Sequence, residues 1–242
     1  MFFPIGDDQI KGGYKPIFSY AFIAINTLVF FYEMYLQSSH HLNGFINEYG
    51  AIPTEIVHGQ DYFTLFTNMF IHGGWMHLIG NMVFLWIFAD NIESSIGNIK
   101  FLLFYLGGGI AASVIHVLLN THSEIPSVGA SGAISAVMGT YLVMFPGSRV
   151  KVLVLYFFRS FYLSAIIFLG IWIAMQLFNG FSSLGADPNT GGVAHWAHIG
   201  GFAFGLLYGL YAKKYFDKKG ELVQGQGGGL SDLFGGRRRR RY

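Results

Sequence analysis

Cysteine is absent from this 242-residue chain, and charged residues are scarce, at 12% of the total. The absence of cysteine excludes disulfides, thiolate nucleophiles and cysteine-bound metals. The scarcity of charge, beside 52% apolar residues, excludes an ordinary water-soluble domain, because a soluble core of this size needs more polar surface to cover it. The bilayer is therefore the expected solvent for most of the chain.

Six apolar runs have roughly the length needed to cross a bilayer, although several lie at the short end of the ~17–25 residues typical of a spanning helix. The sequence therefore predicts an all-α membrane protein, a bundle of six transmembrane helices, with residues 15–215 as its membrane domain. The predicted spans are residues 18–36, 75–92, 99–119, 129–146, 161–178 and 194–213.

Lysine and arginine are missing from three loops, at about residues 37–74, 120–128 and 179–193. If six helices alternate in direction, all 15 Lys and Arg residues lie on the face that holds both termini. The positive-inside rule then makes both termini cytoplasmic. This one-sided distribution also supports the count of six, since a wrong count would scatter basic residues over both faces.

Two polar segments flank the predicted membrane domain. Residues 1–14 are too polar for a signal peptide and are expected to form a cytoplasmic lead. Residues 216–242 are rich in glycine and arginine, which predicts a flexible cytoplasmic tail. We expect the run of arginines in this tail to contact anionic lipid rather than nucleic acid.

Polar residues are concentrated where the second, fourth and sixth predicted spans begin, all on the outer face. His77 and Asn81 are four residues apart and so share a helix face. Ser131 opens the fourth span, and His195 and His198 open the sixth. Taken singly, a serine or asparagine in a membrane helix is more often a packing or hydrogen-bonding residue. Because they are predicted to lie at one depth in the membrane, we favour a catalytic role for them over helix packing.

A hydroxyl, an imidazole and hydrogen-bond donors are the parts of a nucleophile, a base and an oxyanion hole. We therefore predict that His198 takes the proton of Ser131. The oxyanion is predicted to be bound by His77, Asn81 and the Ser131 backbone amide. No aspartate opens one of these spans, so the prediction is a serine–histidine dyad that uses no cofactor and no metal.

Small residues supply the geometry that such a dyad requires. Gly132 lies on the fourth span, and Gly201 and Gly205 lie on the sixth. Glycine faces let membrane helices approach closely. We expect this approach to bring Ser131 and His198 within the ~2.6–3.2 Å of a hydrogen bond.

The sequence resembles the rhomboid family of intramembrane serine proteases over its whole membrane domain. The G-x-S-G pattern around Ser131 and the A-H-x-x-G-x-x-x-G pattern around His198 are each weak alone but highly specific together. The segments that carry the resemblance, in the family's order, are HGGWMHLIGNM, FADNIESSIG, FLLFYLGGG, VGASGAISAVMG and AHIGGFAFG.

The resemblance implies a six-helix fold with a water-filled cavity that opens to the outer face. It also implies Ser131 as nucleophile, His198 as base, and His77 with Asn81 as oxyanion donors. The implied substrates are membrane proteins whose transmembrane helices are cut near the outer surface. We expect the plasma membrane of a prokaryote as the location, and the glycines of loop 179–193 make that loop a candidate lid.

The sequence departs from the family pattern in two places. Family members often carry an aromatic residue four positions after the serine, where Ser135 stands here, so we expect His198 to be held by Trp196 or another ring. A Trp-Arg pair often precedes the second span, where this chain has Phe63 and Thr64. His195 competes with His198 as base, but the family pattern selects His198 and makes His195 a rim residue.

Two other functions compete with proteolysis. A non-enzymatic rhomboid-like chaperone or adaptor would bind membrane helices, although such relatives usually lack the serine or the histidine. A metal transporter would use His72, His77, His195 and His198. Such a transporter needs carboxylates that face the same cavity. The first turns of the second, fourth and sixth spans contain none. The oligomeric state is left open by the sequence.

Overall fold

A computed structural model describes residues 2–8, 13–154, 156, 158–185, 189 and 191–219. Of the predicted flexible tail, residues 216–219 instead continue the last helix, and residues 220–242 lie outside the described residues. The described elements in chain order are β1 (Phe2–Asp7), α1 (Phe18–Ser38), α2 (Leu42–Tyr49), α3 (Pro53–Val57), α4 (Thr64–Thr67), a 3-10 turn (Asn68–Phe70), α5 (Trp75–Ile96), α6 (Asn98–Leu119), α7 (Ser131–Met144), β2 (Arg149–Val154), β3 (Arg159–Ser164), α8 (Ala165–Ser182) and α9 (His195–Lys219).

Within the part of the chain that the structure describes, three helices, α1, α6 and α8, are long and apolar enough to cross a membrane. Helix α5 makes a fourth candidate span together with the segment Thr64–Phe70, which meets it at a 94° bend. Helix α7 has 14 residues, so at ~1.5 Å per residue it measures only about 21 Å. The chain is thus a mostly helical integral membrane protein, and the count of six spans stays a prediction.

Helix α7 lies at the centre of the bundle, packed against α5, α6 and α9. Its closest neighbour is α9, because glycine allows the two backbones to touch. A methyl group on Gly201 would overlap the carbonyl oxygen of Gly132, and one on Gly205 would overlap that of Ala136. The small residues therefore fix the separation of the two helices that carry Ser131 and His198.

Strands β1, β2 and β3 form an antiparallel sheet in that order, at the end of the bundle where α7 finishes. The prediction of an all-α chain is wrong for these segments. In β2, Val150 and Val152 are fully buried while Arg149 is exposed, the period-two alternation of a strand with one buried face. The sheet also includes residues 161–164, which the sequence analysis had assigned to the fifth span.

Helix α8 consequently begins four residues later than predicted, at Ala165. The Ser164 side chain caps it by accepting a hydrogen bond from the Ile167 amide at 3.4 Å. A serine at this position satisfies one of the amides that a helix start leaves without an intrahelical partner. The cap explains why the helix starts here and not within the preceding strand.

The long connection from α1 to α5 folds into short helices that pack on α6. Asn68 donates a hydrogen bond to the Ser113 hydroxyl of α6 at 3.1 Å, and Thr67 donates to the Tyr49 carbonyl at 2.7 Å. At the two positions that depart from the family pattern, Phe63 packs edge-on against Tyr49, and Thr64 is buried. The connection is therefore anchored without a Trp-Arg pair.

The three-stranded sheet lies at the end of the bundle where α7 finishes, and we call this the sheet end. A buried carboxylate, Glu93, stabilises it. Glu93 of α5 accepts hydrogen bonds from the amides of Ile17, Phe18 and Ser19 and from the Ser19 hydroxyl, at 2.6–2.9 Å. These amides open α1 and have no intrahelical partner, so Glu93 serves as the cap of another helix. The carboxylate thereby ties α1 to α5.

Candidate active site

The site lies at the other end of α7, which we call the serine end. Gly129 has a φ of +125°, a conformation that favours glycine. A methyl group there would also lie 2.7 Å from His77 Nε2. The Gly129 amide donates to the Asn68 carbonyl at 2.8 Å. This turn delivers Ser131 as the first residue of α7, where helix amides have no intrahelical acceptor.

Ser131 and His198 are in hydrogen-bond contact. The Ser131 hydroxyl lies 2.8 Å from His198 Nε2, across the interface of α7 and α9. Gly201, about one turn after His198, touches the backbone of Gly132, the residue after Ser131, so the small residues set this separation. The structure brings the predicted nucleophile and the predicted base together.

The other ring nitrogen of His198 contacts Gln176, a buried residue of α8. Gln176 Oε1 lies 2.9 Å from His198 Nδ1 and 2.8 Å from His195 Nδ1. The sequence analysis missed Gln176 because it is a single amide in the apolar run IWIAMQLF. The available signal was its position, within one turn of the serine end of the span.

The ring that packs against His198 is Trp172, one turn before Gln176 on α8. The two ring centroids lie 5.6 Å apart, with the planes tilted by 38°. Trp196, which the sequence analysis named as a candidate for this role, instead packs edge-on against Phe181. Ser135, at the usual aromatic position, donates its hydroxyl to the Ser131 carbonyl at 2.6 Å.

His77 and Asn81 lie beside the turn that precedes Ser131. A methyl group on Gly129 would lie 2.7 Å from His77 Nε2 and 3.5 Å from Asn81 Nδ2. Within the described residues, the buried Asn81 Nδ2 has no hydrogen-bond partner. Asn81 also lines the cavity above Ser131, so this amide is available to a group bound there.

A cavity of about 1140 Å³ opens above Ser131. This volume exceeds the ~300–1,000 Å³ typical of small-molecule sites and accommodates several side chains of an extended peptide. His77, Asn81, Ser131, His195 and His198 line it, and so do residues 182–185 and 191–193 of the loop predicted to form a lid.

His116 of α6 also lines the cavity, and the sequence analysis did not single it out. The predicted site residues all open spans that begin on the outer face. The third span ends there, and His116 lies in its last turn. Its side chain is 3.3 Å from the Asn120 amide.

The four histidines of the transporter alternative do not form a metal cage in the structure. Within the described residues, no group of three or more His, Asp and Glu side chains is arranged to hold a metal ion. His72 lies behind His77, with ring centroids 5.1 Å apart, and its backbone amide donates to the Glu33 carboxylate at 3.0 Å.

The fold and the site define a class: an integral membrane protein with a serine and a histidine paired beneath a cavity between its helices. The Rhomboid domain model matches residues 59–215, and the chain belongs to the rhomboid family.

Several curated relatives are similar to this chain. It is 30% identical over 205 residues to Rhomboid protease GluP of Bacillus subtilis, covering 85% of this chain and 37% of that protein. It is 28% identical over 168 residues to Rhomboid protein 1, mitochondrial, of Saccharomyces cerevisiae, covering 66% and 46%. It is 33% identical over 161 residues to RHOMBOID-like protein 4 of Arabidopsis thaliana, covering 66% and 36%. The chain thus spans less than half the length of these relatives.

Proposed function

We propose that this protein is an intramembrane serine endopeptidase that cleaves transmembrane segments of other membrane proteins near the outer face. The observation that carries the proposal is the 2.8 Å contact between the Ser131 hydroxyl and His198 Nε2 beneath the cavity. The name of the relative from Bacillus subtilis, a rhomboid protease, supports the same activity.

In the first half of the reaction, the Ser131 hydroxyl gives its proton to His198 Nε2 as Oγ attacks the scissile carbonyl carbon. The new C–O bond makes a tetrahedral intermediate with a negative oxygen. His198 then donates the same proton to the leaving amine, the C–N bond breaks, and an acyl ester remains on Ser131.

The negative oxygen needs donors that are already in place. We assign the oxyanion hole to His77 and Asn81 Nδ2, which lie beside the Gly129 turn that precedes the nucleophile, and to the Ser131 backbone amide at the start of α7. Fixed donors of this kind cost no reorganisation during reaction. In the second half, a water gives a proton to His198 and attacks the ester, and His198 returns that proton to Ser131.

The short α7 explains how the reaction takes place below the membrane surface. If its last turn lies at one edge of the ~30 Å hydrocarbon core, its ~21 Å length leaves Ser131 roughly 10 Å beneath the other edge. We propose six spans with both termini cytoplasmic, so that the cavity opens outward in the plasma membrane of a prokaryote. The charge distribution supports this orientation.

Substrates must present an extended peptide to Ser131, because the carbonyl of a helical peptide bond is shielded by its own hydrogen bond. We therefore propose membrane segments with Gly, Ala or Pro near the outer surface, which weaken a helix. Loop 179–193 is the proposed lid over the cavity.

The test is cleavage of a fluorescent substrate with a Gly/Ala-rich transmembrane segment by purified protein in detergent. The parent is expected to cleave it, Ser131→Ala and His198→Ala to lose cleavage, and His195→Ala to retain most of it. A parent that cleaves no member of a varied substrate panel, while still binding those segments, would favour the chaperone function and contradict the proposal.

A further inference from the structure

We propose that Gln176 is a positioning residue that fixes the tautomer and orientation of His198. The serine–histidine dyad is thereby extended by a neutral hydrogen-bond acceptor. This inference rests on the proposed function and adds a role for a residue of α8. Gln176 touches neither substrate nor the attacking oxygen in this arrangement; it acts through the imidazole.

The contacts form a line of three groups. Gln176 Oε1 lies 2.9 Å from His198 Nδ1, and His198 Nε2 lies 2.8 Å from the Ser131 hydroxyl. A neutral imidazole carries one proton, and the hydrogen bond made by one nitrogen decides which nitrogen holds it. When the glutamine oxygen accepts from Nδ1–H, the lone pair of Nε2 faces Ser131, as a general base requires.

His195 supports this orientation of the glutamine. Its Nδ1 lies 2.8 Å from the same Oε1, and one carbonyl oxygen has two lone pairs to accept both N–H groups. The amide oxygen is thereby held between two imidazoles, which restrains the side chain. His195 acts on His198 only through Gln176, so the loss of His195 should lower kcat less than the loss of Gln176.

A neutral acceptor suits this environment. Within the described residues, the titratable side chains that act electrostatically on His198 are the imidazoles of His195, His77 and His116. A carboxylate in place of Gln176 would be a charge in an apolar site, which is costly to bury. The amide supplies the acceptor without that cost.

Helix α8 holds the ring from two sides. Gln176 binds the ring edge, and Trp172, four residues earlier and on the same face of α8, packs 5.6 Å away from the ring centroid. These contacts replace the aromatic residue that Ser135 displaces on α7. The base on α9 is therefore oriented by α8 and meets its nucleophile on α7.

Two substitutions separate the acceptor from the packing. Gln176→Met keeps the shape and removes the acceptor, and kcat is expected to fall on the order of 10- to 100-fold with KM nearly unchanged. The loss is smaller than the ~10⁴-fold seen when a triad aspartate is replaced, because the amide is neutral. Gln37→Met, at an exposed glutamine of α1, is the matched control and should leave kcat unchanged.

Gln176→Glu keeps an acceptor of the same shape and adds a charge that favours the imidazolium. It should retain kcat within about tenfold and move the acid limb of the kcat/KM profile to higher pH. Retention of kcat in Gln176→Glu, beside its loss in Gln176→Met, is the result that packing alone would not give. Equal losses of kcat in Gln176→Met and Gln176→Glu, or full activity in Gln176→Met, would overturn the inference.

A second measurement does not depend on turnover. In ¹⁵N-histidine spectra, with the His198 signal assigned through His198→Ala, the parent and Gln176→Glu are expected to show the Nδ1–H tautomer, and Gln176→Met a mixture. The same tautomer in all three proteins would contradict the role of Gln176. Failure of the parent to cleave, with the tautomer pattern as expected, would instead contradict the proposed protease activity.

Discussion

The two ends of the helix bundle differ in how each holds a buried asparagine of α5. Helix α5 contributes an asparagine to each end, ten residues apart. At the sheet end, the Asn91 amide donates to Asp7 at 2.9 Å and to the Ile87 carbonyl at 3.0 Å. At the serine end, the amide nitrogen of Asn81 is buried without a partner in the described residues.

This difference suits a structural role for Asn91 and a catalytic role for Asn81. Satisfied buried groups lower the free energy of the fold, whereas an unsatisfied donor raises it by about 1–3 kcal/mol. Among the described residues, Asn81 differs from other buried residues without a partner, such as Tyr105, in that it lines the cavity. We therefore interpret the sheet end as the structural anchor of the bundle and the serine end as its reactive part.

The largest expected effect comes from Asn81→Ala. It removes a proposed oxyanion donor and should lower kcat about 100- to 1000-fold. It should not lower the unfolding temperature, because the amide nitrogen has no protein partner to lose within the described residues. Asn91→Ala is the matched control on the same helix. It should lower the unfolding temperature and leave kcat of the folded protein unchanged. The reverse pattern would break the distinction between the two ends.

Glu93→Ala tests the anchor itself. The change leaves the opening amides of α1 and the Ser19 hydroxyl without their acceptor, which should cost about 3 kcal/mol of unfolding free energy. Unfolding of the detergent-solubilised protein, followed by circular dichroism, measures the loss. Labelling of Ser131 in the fraction that remains folded should proceed at the parent rate. A stable Glu93→Ala variant would show that Glu93 is not an anchor.

Gly201→Ala tests the contact that joins the two ends. The added methyl overlaps the Gly132 carbonyl, so α9 must move away from α7, at a cost of about 1–3 kcal/mol and with loss of cleavage. Gly170→Ala is the control, because a methyl there meets nothing within 4 Å. Cleavage by Gly201→Ala at the parent rate would mean that this contact does not set the distance from Ser131 to His198.

The smallest expected effect is a pH dependence at the sheet end. Burial, reinforced by the nearby Asp90 and Asp8 and opposed by the hydrogen bond from Tyr141, raises the pKa of Asp7 from 3.8 to about 7. The folded state therefore favours the protonated carboxyl, and this contribution to stability is lost as the pH rises through 7.

Between pH 6 and 8, the parent should lose about 1 kcal/mol of unfolding free energy relative to Asp7→Asn. The asparagine keeps an oxygen that can accept from Tyr141 and Asn91 and does not titrate. Unfolding temperatures of both proteins across this range give the comparison. Parallel pH curves would show that Asp7 does not titrate in the fold.

The serine end was largely accessible from the sequence, because few polar residues occur in these apolar runs. Ser131, His198, His77 and Asn81 each open a helix on one face, and alternation of the spans places them at one depth. Gln176 and Trp172 could not be assigned in that way. One amide and one ring in an apolar helix have no preferred partner until the rotation of α8 about its axis is known.

The sheet end was less predictable for a different reason. The alternating residues of Arg149–Val154 carry a strand pattern, but the partner strand Phe2–Asp7 lies far away in sequence and its composition has no such alternation. Strand pairing over that distance depends on tertiary contacts, such as the bond from Tyr141 to Asp7 at 2.5 Å. Local patterns do not encode such contacts.

The most direct test of the reactive serine end is labelling by a serine-directed phosphonate, followed by mapping of the modified peptide. The parent is expected to be labelled at Ser131 and not at Ser135, whose hydroxyl lies one turn away on the same helix and is bound to a carbonyl. His198→Ala should lose the label. A parent left unlabelled at Ser131, or labelled there equally in His198→Ala, would contradict the account.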